Sequence, residues 1–213
     1  MTRCNHQRRS DHLPLARRHP CGMGARRWRR CCAAAALLAL IAPALRTVAQ
    51  APGQTLVINR EYSIKAAFLY HFSSYITWPP ESLPAQDQPF VIAVFYGDPF
   101  GATLTEIART KTVAGRPIAV RRVTDAKDLG GCQIVFVPLN TPAEQQALAL
   151  RTTSGAAVLM VGESDDFIQR GGGAQFFVEG NKVRFAFRAD ISEGRKLKIS
   201  SKLLSLAKII PAQ

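Results

Sequence analysis

Four histidines occur in the 213 residues, and three of them, His6, His12 and His19, stand within the first twenty positions. That leaves His71 as the imidazole of the remaining chain, inside a helical pattern where a packed or rim role is expected. A Ser-His-Asp triad needs a positioned nucleophile beside its histidine, and Ser154-Gly155 is no Gly-x-Ser-x-Gly elbow. Zinc needs three or four Cys, His or carboxylate ligands at suitable spacing, which the sequence does not offer. Asp165-Asp166 are neighbours, so on a helix they point in different directions, and they read as first-turn acids after Ser164, favourable with the helix dipole. Gly171-Gly172-Gly173 precedes a strand, whereas a dinucleotide loop follows one and opens a helix; a tight helix-to-strand connection is the stronger account. The basic groups Arg121-Arg122 and Arg195-Lys196-x-Lys198 read as solvated faces, with an acidic partner as the functional alternative. Carboxylate-only hydrolysis stays formally open, but these residues describe a protein that is not an enzyme and holds no cofactor or metal.

The charge points the same way. The chain is formally +13, yet residues 1–49 hold ten arginines, among them Arg26, Arg27, Arg29 and Arg30, against the single acid Asp11. The remaining 18 Lys+Arg face 14 Asp+Glu, which is +4, so the basic excess belongs to the leader rather than to a nucleic-acid surface. After Arg30 comes Cys31-Cys32-Ala-Ala-Ala-Ala-Leu-Leu-Ala-Leu-Ile-Ala, too short to span a bilayer, then small residues around Ala49. Residues 1–49 therefore read as leader and signal peptide. Translation from Met23 would give an n-region of ordinary length and leave 1–22 untranslated. An uncleaved anchor would need roughly 20 apolar residues, and Pro43 and Arg46 interrupt the run. The mature chain is expected to be exported and soluble, without a membrane span.

Cys4, Cys21, Cys31 and Cys32 leave with that leader, and Cys132 stands alone, so no intrachain disulfide can form. A lone cysteine in an oxidising compartment is either buried or pairs between chains as a homodimer. Cys132 opens the apolar run Cys-Gln-Ile-Val-Phe-Val-Pro, which reads as a buried, inert thiol.

Residues 50–213 suit one domain with a sizeable core. Ile64, Phe68, Phe72 and Ile76 recur at helical spacing over residues 60–77, until Trp78-Pro79-Pro80 stops the helix. Tyr70, Phe72, Tyr75 and Trp78 read as core, with any exposed portion a candidate protein-binding patch. Phe90–Tyr96 is a continuous apolar run of the kind a doubly buried strand shows. Asp98 as N-cap with Pro99 begins a helix to about Arg109. Arg116–Val123 is a more exposed strand, Ile134–Val137 a central one, Thr141-Pro-Ala-Glu a capped helix start running to about Arg151, and Ala156–Val161 a further buried strand. This alternation predicts an α/β domain with a mostly parallel, Rossmann-like sheet and flanking helices. It ends in a hairpin, Phe176–Glu179 with Val183–Phe187 across Gly180-Asn181, and a closing helix from about Ile191 to Ile210.

Six segments, in order, carry a likeness. They are Lys65-Ala-Ala-Phe-Leu-Tyr-His-Phe ending in Thr-Trp-Pro, Phe-Val-Ile-Ala-Val-Phe before Gly97-Asp-Pro-Phe, and Gly115-Arg-Pro-Ile. After these come Asp128-Leu-x-x-Cys-Gln-Ile-Val-Phe-Val, Asp166-Phe-Ile-x-x-Gly-Gly, and Leu197-Lys-Ile-Ser-Ser-Lys-Leu-Leu-x-Leu-Ala. Together they resemble the YfiR-like family of periplasmic regulatory proteins over roughly residues 60–210. The matching positions, mostly structural in role, are Phe68, Trp78, Pro79, Gly97, Cys132, Gly171, Gly172, Ser200, Ser201 and Leu204. Two departures stand out: Arg188 where an Asn would follow the Phe-x-Phe strand, and Cys132 without the disulfide partner that some relatives carry. The resemblance implies a non-enzymatic periplasmic regulator that inhibits an inner-membrane diguanylate cyclase by binding its periplasmic sensor part, affecting cyclic di-GMP signalling and biofilm. A different class stays open: a periplasmic protein seating a small molecule or cell-wall fragment at the carboxyl ends of the strands, near Gly97-Asp98 and Asn140-Thr141.

Overall fold

Phe90–Phe95 (β2) is buried along its whole length, and the period-two alternation of a strand explains how both faces are used. Phe90, Ile92 and Val94 point into one apolar cluster with Leu69, Phe72, Phe136 and Phe176. Val91, Ala93 and Phe95 point into a second with Val135, Met160, Ala149, Leu150 and Phe167. The computed structural model describes residues 52–211, within the compact unit Gln50–Gln213. The leader read at 1–49, with its four cysteines, lies outside the described residues.

The helix before β2, α1, spans Pro52–Tyr75, beginning earlier than the periodic stretch. It also ends sooner than expected, because Ile76–Thr77 (β1) pairs antiparallel with Lys198–Ile199 (β9). On one side β2 runs parallel to Arg116–Val123 (β4), and on the other to Ile134–Val137 (β5). Leu159–Gly162 (β6) continues parallel to β5, and Ala174–Glu179 (β7) parallel to β6. Lys182–Arg188 (β8) closes antiparallel on β7, through Gly180 and Asn181, both at positive φ, 54° and 58°. This is the primed turn that the Gly-Asn pair favours. At the far edges lie Thr112–Val113 (β3), antiparallel to β4, and Lys208–Ile210 (β10), parallel to β8. The result is the expected α/β architecture, a mostly parallel mixed sheet with helices α2 (Ala102–Thr110) and α3 (Ala143–Thr152) flanking it.

Four local expectations fail. Asp98 does not cap α2: its Oδ1 accepts from the Phe100 amide at 2.9 Å and its Oδ2 from Arg122 Nε at 2.6 Å, while Gly101 takes the cap position. Thr141 does not cap α3 either; Pro142 does, and the Thr141 hydroxyl is buried without a partner. Asp165-Asp166 sit in consecutive turns rather than a helix. The closing helix is replaced by a one-turn helix α4 (Ile191–Gly194), β9, a second turn α5 (Ser201–Leu204) and β10.

The glycine-rich connection into β7 is shaped by one ring. Phe167 is fully buried, and a Cβ added at Gly162 would stand 2.3 Å from its Cδ2. One at Gly172 would stand 2.2 Å from Cδ1 and 2.7 Å from the Phe167 carbonyl. Gly162→Ala and Gly172→Ala should each destabilise the domain by about 1–3 kcal/mol in urea unfolding. In a Phe167→Ala background the Gly162→Ala cost should vanish and the Gly172→Ala cost persist, because only the latter strikes backbone; equal relief of both would refute this account.

Candidate functional site

Three parts of the surface could serve recognition, and they differ in chemistry. The first is an apolar groove where the chain's C-terminal segment lies on α1. Ser200 is central to it. Its amide donates to the Tyr75 carbonyl at 3.0 Å, and its side chain caps α5 by accepting from the Leu203 amide. With β1 and β9 paired alongside, the segment is fixed against the end of α1. Leu197 and Leu203 are buried beneath it as anchors, while Leu204 and Leu206 are left outside, Leu206 two-thirds exposed at 67%. The groove of about 290 Å³ is lined by Phe68, His71, Tyr75, Lys202, Leu203 and Leu206. Phe68 forms its floor, half-buried and tilted against Phe185 at 5.0 Å between ring centroids. Tyr75 is 42% exposed and its ring lies 6.2 Å from that of His71. His71 thus belongs to the rim, as its place on the helix suggests.

The second part is the carboxyl end of the sheet, past β2, β5 and β6. Glu163, just past β6, is buried and engaged several times over. It pairs with the buried ammonium of Lys65, accepts from Tyr62 Oη at 3.2 Å, and accepts from the Leu139 amide at 2.8 Å. Lys65 also pairs with Glu61 one turn earlier and lies 4.6 Å over the Tyr62 ring. Burial, and then the Glu163 charge, push the Tyr62 phenol well above its ordinary value. The strand ends are therefore bridged by the chain's own polar groups. Beside them Gly97 lies close to Asn140, whose Nδ2 would stand 3.9 Å from an added Cβ.

The third part is basic, and here the sequence reading needs correcting. Arg121 and Arg122 are exposed, as expected. Arg195 is not a surface residue: it is 7% exposed and donates to the carbonyls of Thr153, Val158 and Gly171. Lys196 and Lys198 remain exposed.

The motif residues divide accordingly. Phe68 lines the groove, Ser200 ties the C-terminal segment to the Tyr75 carbonyl, and Ser201 and Leu204 are exposed on α5. Trp78 is buried edge-on against Phe90 at 5.0 Å, and Pro79 is half-buried where the chain turns away from β1. Gly97, Gly171 and Gly172 serve turns elsewhere, Gly171 at φ +106°. Cys132 is a free, buried thiol. Burial pushes its pKa up, with Arg121, whose Nη1 lies 3.6 Å from Sγ, pulling the other way. A thiol so held is inert. Sequence reasoning missed Leu206 and Lys202, hidden inside the expected closing helix, and Glu163, whose side-chain partners Tyr62 and Lys65 lie about a hundred residues away. Among the described residues no group of three Cys, His, Asp or Glu side chains could hold a metal ion, and no helix is long and apolar enough to cross a membrane.

Comparison with curated proteins gives no match. The family model described as YfiR/HmsC-like matches residues 62–208, which take in α1 from Tyr62, the sheet from β1 through the start of β10, and the groove. The chain belongs to the YfiR/HmsC-like family, a family of periplasmic regulatory proteins without a catalytic role.

Proposed function

We propose that this protein is an exported, periplasmic, non-enzymatic regulator that holds an inner-membrane diguanylate cyclase inactive by binding its periplasmic sensor part. The observation that carries the reading is the open apolar groove between α1 and the C-terminal segment, in a chain of this family. Tyr75 and Leu206 present large apolar surface to solvent there, above the buried anchors Leu197 and Leu203. A contiguous patch of that kind marks an interaction surface better than singly scattered apolar residues do. A rim carrying His71 and Lys202 around an apolar centre is the composition of a protein interface. The mechanism is a population shift: the regulator binds the inactive conformation of the sensor better than the active one and draws the equilibrium toward it. Lower cyclic di-GMP and less biofilm follow downstream.

The test is deletion of the gene with measurement of cellular cyclic di-GMP, together with affinity capture from the membrane fraction. The expected result is a raised level and recovery of a membrane protein with a cyclase domain. An unchanged level with no cyclase recovered would defeat the reading.

A further inference from the structure

At the amino-terminal end of the parallel strands, opposite the Glu163 cluster, lies a cavity of about 530 Å³ whose lining includes Arg151, Arg170, Arg188 and Arg195 and no acidic side chain. Its volume falls in the range of small-ligand pockets. The four guanidiniums differ in how far the fold already satisfies them. Arg188 is held by Asp190, with Nη2 2.9 Å from Oδ2, and Arg170 donates to the Ala143 carbonyl at 2.9 Å with Asp166 at 3.7 Å. Arg151, in the last turn of α3, is exposed, and its guanidinium meets no acceptor or carboxylate among the described residues.

Arg195 is the unusual one. It is buried, its three bonds all go to neutral carbonyls, and no carboxylate pairs with it. A guanidinium has five N–H donors, so Nε–H and one Nη2–H are left without a protein acceptor. Burial, and then the charge of Arg188, lower its pKa to about 10. Buried charges are ordinarily paired, and while Asp190 and Asp166 offset Arg188 and Arg170, no carboxylate offsets Arg195 or Arg151, which repel the cations beside them. An oxyanion resting among them would supply the missing acceptors and relieve that repulsion. Guanidinium forks fit phosphate oxygens in bidentate fashion. Ser154 and Gly155 line the same cavity, so a hydroxyl donor stands beside the guanidiniums.

We propose that this cavity binds a phosphoryl oxyanion, carried by a small phosphorylated molecule or by a phospholipid headgroup, between Arg151, Arg188 and Arg195. The site is distinct from the apolar groove and stands whether or not the partner is a cyclase.

Inorganic pyrophosphate is the probe, titrated calorimetrically into the exported protein at low salt. Saturable one-to-one binding is expected, weakened at least about tenfold by Arg151→Glu, which removes an exposed side chain with no bond to lose. Lys182→Glu, the same charge change on the exposed hairpin, should leave binding intact. A parallel arm uses phosphatidylglycerol vesicles. Sedimentation that pyrophosphate displaces and Arg151→Glu abolishes assigns the oxyanion to a headgroup; pyrophosphate binding without sedimentation assigns it to a soluble ligand. Absence of saturable heat, or equal weakening by Lys182→Glu, overturns the proposal.

Discussion

Leu206→Glu is expected to raise cellular cyclic di-GMP to the level of the gene deletion while leaving the folded domain intact. Leu206 is 67% exposed and follows α5, so its removal costs the fold little; surface substitutions of this kind stay within about 0.5 kcal/mol. The partner would feel it differently. A residue that anchors an interface as a hot spot contributes about 2 kcal/mol or more, and a carboxylate placed there adds the cost of desolvating a charge. A loss of about 3 kcal/mol weakens binding by roughly two orders of magnitude, which would empty the regulator from its partner at ordinary expression levels. Tyr75→Ala should act in the same direction by a smaller amount. Val178→Glu, which alters another exposed apolar residue on the β7–β8 hairpin (53% exposed), should repress like the parent. The measurement is cyclic di-GMP in strains with matched protein levels, checked by urea unfolding of the purified variants. Full repression by Leu206→Glu would remove the groove from the interface.

That groove was only partly legible from the residues. The α1 side was: Phe68 and Phe72 recur at helical spacing, and of Tyr70, Phe72, Tyr75 and Trp78, which read as core with any exposed portion a candidate patch, Tyr75 is the one left exposed. The C-terminal side was not. Leu197, Leu203 and Ala207 also fit a helix, so periodicity alone favoured one from Ile191 to Ile210. The chain breaks it in ways only the tertiary structure reveals. Lys196 takes a positive φ of 56°, Ser200 caps a fresh turn, and two short stretches find strand partners in β1 and β8, more than a hundred and about twenty residues away.

The same division runs through the rest of the domain. Continuous apolar runs such as Phe90–Phe95 and Ile134–Val137 announce central strands because both of their faces must be covered, whatever the topology. The Gly180-Asn181 turn announces its hairpin because few other residues tolerate its backbone. Polar residues misled more. Asp98 and Thr141 stand where caps belong, yet Asp98 answers to Arg122 across the sheet. Arg195 lies in a basic run that looks solvated, yet it is packed against three carbonyls. A polar side chain has several partners within reach, and sequence shows only the local ones.

Lys65→Met is expected to be the most destabilising single change around the carboxyl end of the sheet, by about 3–5 kcal/mol, the usual cost of removing one member of a buried ion pair. Methionine fills the space of the lysine stem, so the loss would come from charge rather than from a cavity. It would leave the Glu163 carboxylate, itself buried, held only by the Tyr62 hydroxyl and the Leu139 amide. Glu61 is about a third exposed and can turn to water. Adding Glu163→Gln should therefore return most of the lost stability. The amide oxygen can still accept from Leu139 and Tyr62, while the uncompensated charge is gone. Glu163→Gln alone should be costly, because it strands the Lys65 ammonium with Glu61 as its sole counter-charge. The double-mutant cycle measured by urea unfolding should thus show a coupling of at least about 1–2 kcal/mol in favour of the pair. Additive losses would mean that the two charges are each stabilised by solvent rather than by one another, and that the carboxyl ends of β5 and β6 are open to a ligand after all.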